Sequence, residues 1–231
     1  MSEVNESTAW PLRRAKAAAT RLAVIDAAQR LFVQQGYSGA SIQAIADAAG
    51  VSRATVFNSV GGKASLLKAA YDVATVGDDR PVPLPQRAEA IATRLEPDPK
   101  RSIALYAGMI ANIGERLAPI YEVFRAAAAS DPEVSALWRD IQAERLKGAR
   151  GFVGLLRDKG PLRENLDEVL AGDIVWALID ASLYHRLAIE RGWAKVEFQA
   201  WLARTLETQL LPPRVGPRRR RPANKPQAPH G

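Results

Sequence analysis

The sequence predicts an all-α protein: a small N-terminal three-helix domain joined to a larger helical bundle. Three observations predict it. Apolar residues recur at helical spacing along most of the chain, and prolines and glycines cluster at the breaks between these periodic segments. Near the N-terminus, two short helical patterns meet at a single glycine, Gly50.

The first helix is expected over residues 16–35, where Leu22, Ile25, Leu31 and Phe32 return at helical spacing. Gly36 ends it and leaves Tyr37 placed to pack back. Ser41 is positioned to cap a second helix, whose Ile42, Ile45, Ala46 and Ala49 fall at i, i+3, i+4 and i+7 and make one buried stripe. Gly50 follows where a left-handed backbone costs glycine little. Val51 enters the core as the turn closes, Ser52 caps the third helix, and Val56 faces inward. Arg53, Ala54, Thr55 and Asn58 then look outward. Two helices joined this way form a helix-turn-helix, whose second member enters the DNA major groove. Gly61 and Gly62 make a further turn. Lys63 opens a connecting helix with an apolar face of Leu66, Leu67, Ala70 and Tyr71.

Residues 22–71 resemble the DNA-binding domain of TetR-family transcriptional regulators. The resemblance rests on Phe32, Gly36 and Tyr37; on Ser41, Ile42, Ile45, Ala46, Ala49, Gly50, Val51 and Ser52; and on Thr55, Val56, Phe57, Lys63, Leu66 and Leu67. Their spacing matches the family without an insertion. The resemblance implies double-stranded DNA as partner, contacted by Ser41, Ser52, Arg53, Ala54, Thr55, Phe57, Asn58, Ser59 and Lys63. Two departures stand out. Phe57 occupies a position where the family usually has tyrosine, so the phosphate bond of that phenol is lost. Ser59 and Val60 replace a usual His-Phe pair. Ser59 keeps a hydroxyl for phosphate, and Lys63 is retained.

The chain has 231 residues, a net charge of +7 and no cysteine. Disulfides, thiolate nucleophiles and zinc–thiolate sites are therefore excluded. With two histidines, His185 and His230, a histidine metal site within one subunit is not expected, and no cofactor is expected. No nucleophile–base constellation or phosphate-cradling glycine loop points to an enzyme. No apolar run approaches membrane-spanning length and no signal segment opens the chain, so a soluble cytoplasmic protein is expected. Positive charge lies at both ends. Residues 1–75 hold eight Lys/Arg against five Asp/Glu, residues 76–211 hold 18 against 20, and residues 212–231 hold six against none. This fits a DNA-binding head, a near-neutral body and a basic tail. The expected divisions are a flexible basic arm (1–15), the head (16–76), a helical effector-binding and dimerisation domain (77–211) and a disordered basic tail (212–231). Arg13, Arg14, Lys16 and Arg21 either reach DNA or form a solvated leader. The tail arginines either attract DNA or serve solubility.

In the body, Pro81, Pro83 and Pro85 mark the entry, and Pro97 and Pro99 a second break. Helices are expected over residues 103–116, 119–129, 134–159, 170–189 and 198–211. Gly148, Gly151 and Gly154 would loosen the third of these. The family resemblance implies that the last two helices, about 168–190 and 195–211, pair with their symmetry mates in a homodimer. It also implies a pocket for an unknown small-molecule effector. Candidate lining residues are Tyr106, Met109, Ile110, Tyr121, Phe124, Trp138, Trp176, Asp180 and Tyr184, although aromatics and methionine at helical spacing equally suit plain core. Asp180 interrupts an apolar run. Three roles are open to it: a ligand contact, a partner for an arginine across the dimer, or a place on a solvated edge.

The function implied is a sequence-specific repressor, released from a near-palindromic operator by a small apolar or aromatic effector. The alternative is a DNA-organising or adapter protein without small-molecule control, which a sealed, well-packed body would favour.

Overall fold

The structure is a computed structural model that describes residues 6–213. Every regular element among these residues is helical. The tail arginines from Arg214 onward lie outside the described residues.

The head comprises α1 (Glu6–Gly39), α2 (Ile42–Ala49), α3 (Arg53–Ser59) and α4 (Lys63–Val76). Helix α1 starts at Glu6, inside the expected arm, so Arg13 and Arg14 lie on a helix. It is interrupted at Gly36, whose φ of 72° belongs to the left-handed region. That break turns Tyr37 back to stack on Phe32, ring centroids 5.8 Å apart. Ile25, Phe32, Ile45, Val56, Leu66 and Leu67 are fully buried and form the head's core. Leu22, expected on the apolar face, is exposed; Val24 and Ile25 take the inward positions.

The body comprises a short 3-10 turn (Leu84–Gln86), α5 (Ala88–Leu95), α6 (Pro99–Ala128), α7 (Pro132–Lys159), α8 (Glu168–Leu178), α9 (Ala181–Tyr184), a π-helical turn (His185–Glu190) and α10 (Lys195–Leu210). Helix α6 packs against α4, α5, α7 and α10 and is the body's central element. The sequence suggested two helices where α6 runs unbroken. Pro119 lies inside it and removes one backbone donor, which leaves the Glu115 carbonyl without its usual partner. The expected single helix over residues 170–189 is instead broken. Ile179 ends α8, Asp180 caps α9 by accepting from the Ser182 N–H at 2.9 Å, and the chain then widens into the π-helical turn.

Candidate nucleic-acid interface and its control region

Local sequence chemistry builds the helix-turn-helix. Ser41 Oγ accepts from the Ala44 N–H at 3.0 Å and starts α2. Gly50, at φ 66° and ψ 31°, ends it with a left-handed cap whose N–H reaches the Ala46 and Asp47 carbonyls. Ser52 Oγ accepts from the Thr55 N–H at 3.1 Å and starts α3. Fully buried Val56 then fixes the rotation of α3, so that Arg53, Ala54, Phe57 and Asn58 are exposed together. Thr55 is half-buried, its hydroxyl oxygen 2.9 Å from Ser52 Oγ.

Three basic or polar groups are more committed than the sequence suggested. Ser59 donates its hydroxyl to the Val56 carbonyl at 3.2 Å, so its proton points into its own helix rather than to a phosphate. Lys63 Nζ donates to the Ser38 carbonyl at 3.3 Å and lies 4.6 Å above the Tyr37 ring. Burial lowers its pKa, against the opposing pull of Asp131. Arg21, expected among the arm residues, donates to Asp79 at 2.9 Å and to the Ser59 carbonyl at 2.7 Å, tying the linker to the C-terminus of α3. Arg53 has no ion-pair or hydrogen-bond partner among the described residues.

Three further contacts join head to body. Tyr37 donates its hydroxyl to Asp131 at 3.1 Å, and Asp131 also accepts from the Glu133 and Val134 N–H groups as the cap of α7. Arg116 on α6 donates to the Ala74 and Thr75 carbonyls at the end of α4. Tyr71 on α4 packs edge-on against Phe124, centroids 5.7 Å apart.

Within the body, most of the candidate lining residues are closely packed. Tyr106, Met109, Tyr121, Phe124 and Tyr184 are buried; Ile110, Trp138 and Trp176 are half-buried. Tyr106 stacks on Phe152 at 3.7 Å, and Trp138 packs on Tyr121 at 5.0 Å and Phe124 at 5.7 Å. Among the described residues, two of the surface clefts include no candidate lining residue. One of about 280 Å³ lies between head and body, beside Arg21, Ser65, Lys68, Asp72, Asp79 and Glu133. The other, of about 440 Å³, lies along α10 beside Trp193, Val196, Glu197, Ala200 and Arg204.

Asp180 is not on a solvated edge. Its carboxylate is 2.8 Å from Arg145 Nη1 of the same subunit and accepts from the Tyr121 hydroxyl at 2.6 Å. Arg145 donates in turn to Gln142 at 2.6 Å and the Trp176 carbonyl at 3.2 Å, and lies over the Tyr121 and Trp176 rings. Burial pushes the Asp180 carboxyl up, but Arg145, Ser182 and Tyr121 together outweigh it and hold the pKa below the ordinary value. Burial pushes the Tyr121 phenol well above its ordinary range. The Trp176 indole N–H is buried beside this cluster without an acceptor. Sequence reasoning missed Arg145 and Gln142. The available signal was Arg145 itself, a charge four residues from both Ile141 and Ala149 on the buried stripe of α7.

Among the described residues, no helix is long and apolar enough to cross a membrane. No cluster of three or more His, Cys, Asp or Glu side chains there could hold a metal ion.

Residues 24–70 match the family model described as bacterial regulatory proteins, tetR family. No curated protein matches the chain. Among solved structures, a TetR-family transcriptional regulator from Rhodococcus sp. is similar at 16% identity and TM-score 0.62, covering 82% of this chain and 97% of that one. NalD, the secondary repressor of the MexAB-OprM multidrug efflux pump in Pseudomonas aeruginosa, is similar at 22% identity and TM-score 0.62, covering 85% and 98%. FadR from Bacillus subtilis, solved with stearoyl-CoA, is similar at 19% identity and TM-score 0.59, covering 80% and 96%. The structural likenesses concern the fold; the family match falls on the helix-turn-helix whose caps and exposed face are described above. Residues 24–70 thus carry the likeness to bacterial regulatory proteins of the tetR family, on the helix-turn-helix, and the chain as a whole shares the fold of these solved structures.

Proposed function

We propose that the protein is a homodimeric repressor that reads a near-palindromic operator with α3 and is released by a small molecule bound in the body. The observation that carries this reading is the α3 face. Arg53, Ala54, Phe57 and Asn58 are exposed together on a helix whose rotation is fixed by Val56. Such a helix suits the major groove, and two copies suit two half-sites. Ser41, Ser52 and Thr55 would support it at the helix starts, with Ser59 and Lys63 acting mainly as packing groups.

The dimer is supported by apolar exposure on the last helices. Val169, Leu170, Ile189 and Val196 are between 49% and 68% exposed. Large apolar side chains left in water on these helices call for cover. The same region carries the α10 cleft beside Trp193 and Val196.

Control by an effector is supported by the Arg145–Asp180–Tyr121 cluster, which sits between aromatic rings and beside an indole N–H that lacks an acceptor. Buried, unpaired donors of this kind are uncommon and often mark a place for water or ligand. A bound molecule would have to favour one spacing of the two heads over another. Arg116 and the Tyr37–Asp131 bond are the contacts through which the body would hold α4 and α1. A second reading, DNA binding without small-molecule control, is favoured by the close aromatic packing around Tyr106, Phe152 and Trp138.

The test is selection of random duplex DNA by the full-length protein at physiological salt, where nonspecific attraction is reduced. A two-fold-symmetric motif is expected. Binding with no motif would overturn the operator reading. Release from that motif by members of an acyl and aromatic compound panel, lost in Arg145→Ala, would separate effector control from its absence.

A further inference from the structure

The outward face of α3 carries an apolar ring among polar neighbours. Phe57 is 47% exposed, whereas adjacent Val56 is fully buried and holds the helix in register. Ala54, one turn earlier on the same face, is exposed as well. Arg53 and Asn58 flank the pair. The Thr55 hydroxyl is engaged with Ser52 at the helix start.

A phenyl ring offers no donor or acceptor. It cannot bond a phosphate oxygen or the polar edge of a base. Left in water, its exposure is unfavourable; against a hydrocarbon group it becomes favourable. In the major groove, guanine, cytosine and adenine edges present donors and acceptors, and thymine alone adds a methyl group at C5. We infer that Phe57, together with Ala54, reads the C5-methyl of thymine in each half-site. Thymine is then specified at symmetry-related operator positions by apolar contact rather than by a hydrogen bond. Phe57 is a specificity-determining residue on this view, and it replaces a lost phosphate contact with base discrimination.

The inference rests on α3 being the recognition helix. The probe is the duplex motif recovered by selection, remade with deoxyuridine in place of thymine at one symmetric pair of positions at a time. This removes the methyl and leaves every hydrogen-bonding group in place. Wild-type protein should lose roughly fourfold in affinity per half-site at the contacted pair, the worth of about one buried methyl-sized group, and roughly fifteenfold for both half-sites. Phe57→Ala should bind the thymine duplex more weakly and lose most of the sensitivity to the change. Phe57→Tyr keeps the ring and should keep the sensitivity. If wild type is indifferent at every thymine while still selecting a motif, the Phe57 role is overturned and the recognition helix stands. Undiminished sensitivity in Phe57→Ala places the methyl contact elsewhere and overturns it too. If no motif is recovered, the recognition reading and this inference fall together.

Discussion

Arg116 caps the end of α4 from across the domain boundary: its Nε and Nη2 donate to the Ala74 and Thr75 carbonyls, each at 3.1 Å. The last carbonyls of a helix have no partner within it, and a cation there also meets the negative end of the helix dipole. Gly77 ends α4 in the left-handed region, with the Arg116 guanidinium packed beside it. One side chain of the body thus satisfies the helix that carries the head.

Arg116→Ala is expected to lower stability by about 2 kcal/mol, the range for hydrogen bonds to a charged donor. Arg116→Lys should recover only part of this, because an ammonium lacks the fork that spans two carbonyls. Chemical denaturation of the three proteins checks both statements. Equal stability of the alanine variant and wild type would remove Arg116 from the head–body connection.

Gly114 on α6 admits the Tyr184 ring so closely that a Cβ would stand 2.7 Å from two ring carbons. Gly114→Ala should therefore cost about 1–3 kcal/mol by overpacking. In Gly114→Ala/Tyr184→Ala the clash is gone, so the two single costs should sum to more than the double. A thermal-unfolding double-mutant cycle that proved additive would show that α6 and α9 do not meet there.

Much of the head was readable because its signals are local. Ser41, Gly50 and Ser52 act within three or four residues of themselves, and each caps or turns the backbone where its chemistry predicts. The body was less readable because its deciding contacts are distant. Asp180 looked like a charge within an apolar helix. It is a cap for α9 and a partner for Arg145, 35 positions earlier, and neither role follows from periodicity. Pro119 looked like a helix start, yet packing on all sides of α6 carries the helix through it. Lys63 looked free for phosphate, and the turn at Gly36 folds Tyr37 and Ser38 under it.

This last difference separates two cations on the head. Arg53→Ala should weaken operator binding, flatten the salt dependence by about one unit if a phosphate contact is lost, and leave stability within about 0.5 kcal/mol. Lys63→Ala should lower stability as well, since it removes the Ser38 bond and the contact with the Tyr37 ring. Salt-dependent binding isotherms beside melting curves check the contrast. Identical stability losses in both variants would refute it.

Asp180 gives a pH dependence whose sign is fixed. Its folded-state pKa lies below the ordinary carboxylate value. The stability it supplies is therefore fully present above about pH 4, the ordinary aspartate value, and is lost as pH falls through the lower folded value. Asp180→Asn should be less stable than wild type at pH 7, by about 3 kcal/mol if Arg145 is left unpaired. The gap should close as pH falls below about 4. A gap that stayed constant down to pH 2 would mean that the carboxylate charge is not what Arg145 requires.

Trp176 supplies the contrary case, a polar group whose removal should help. Its indole N–H is buried with no acceptor, although its own backbone carbonyl accepts from Arg145. An unmet buried donor costs about 1–3 kcal/mol. Trp176→Phe removes that donor and keeps an aromatic face for the Arg145 guanidinium, now 5.5 Å from the indole ring. The smaller ring gives up some packing, so the net change should be close to zero or stabilising, against the usual loss of about 1 kcal/mol or more for a shortened core side chain. Denaturation in effector-free buffer measures it. A loss above about 2 kcal/mol would refute the expectation. Titrating the same variant with compounds that release wild-type protein from its operator then tests the effector reading. If the N–H meets the effector, Trp176→Phe should need a higher concentration for release while its operator affinity without effector is unchanged.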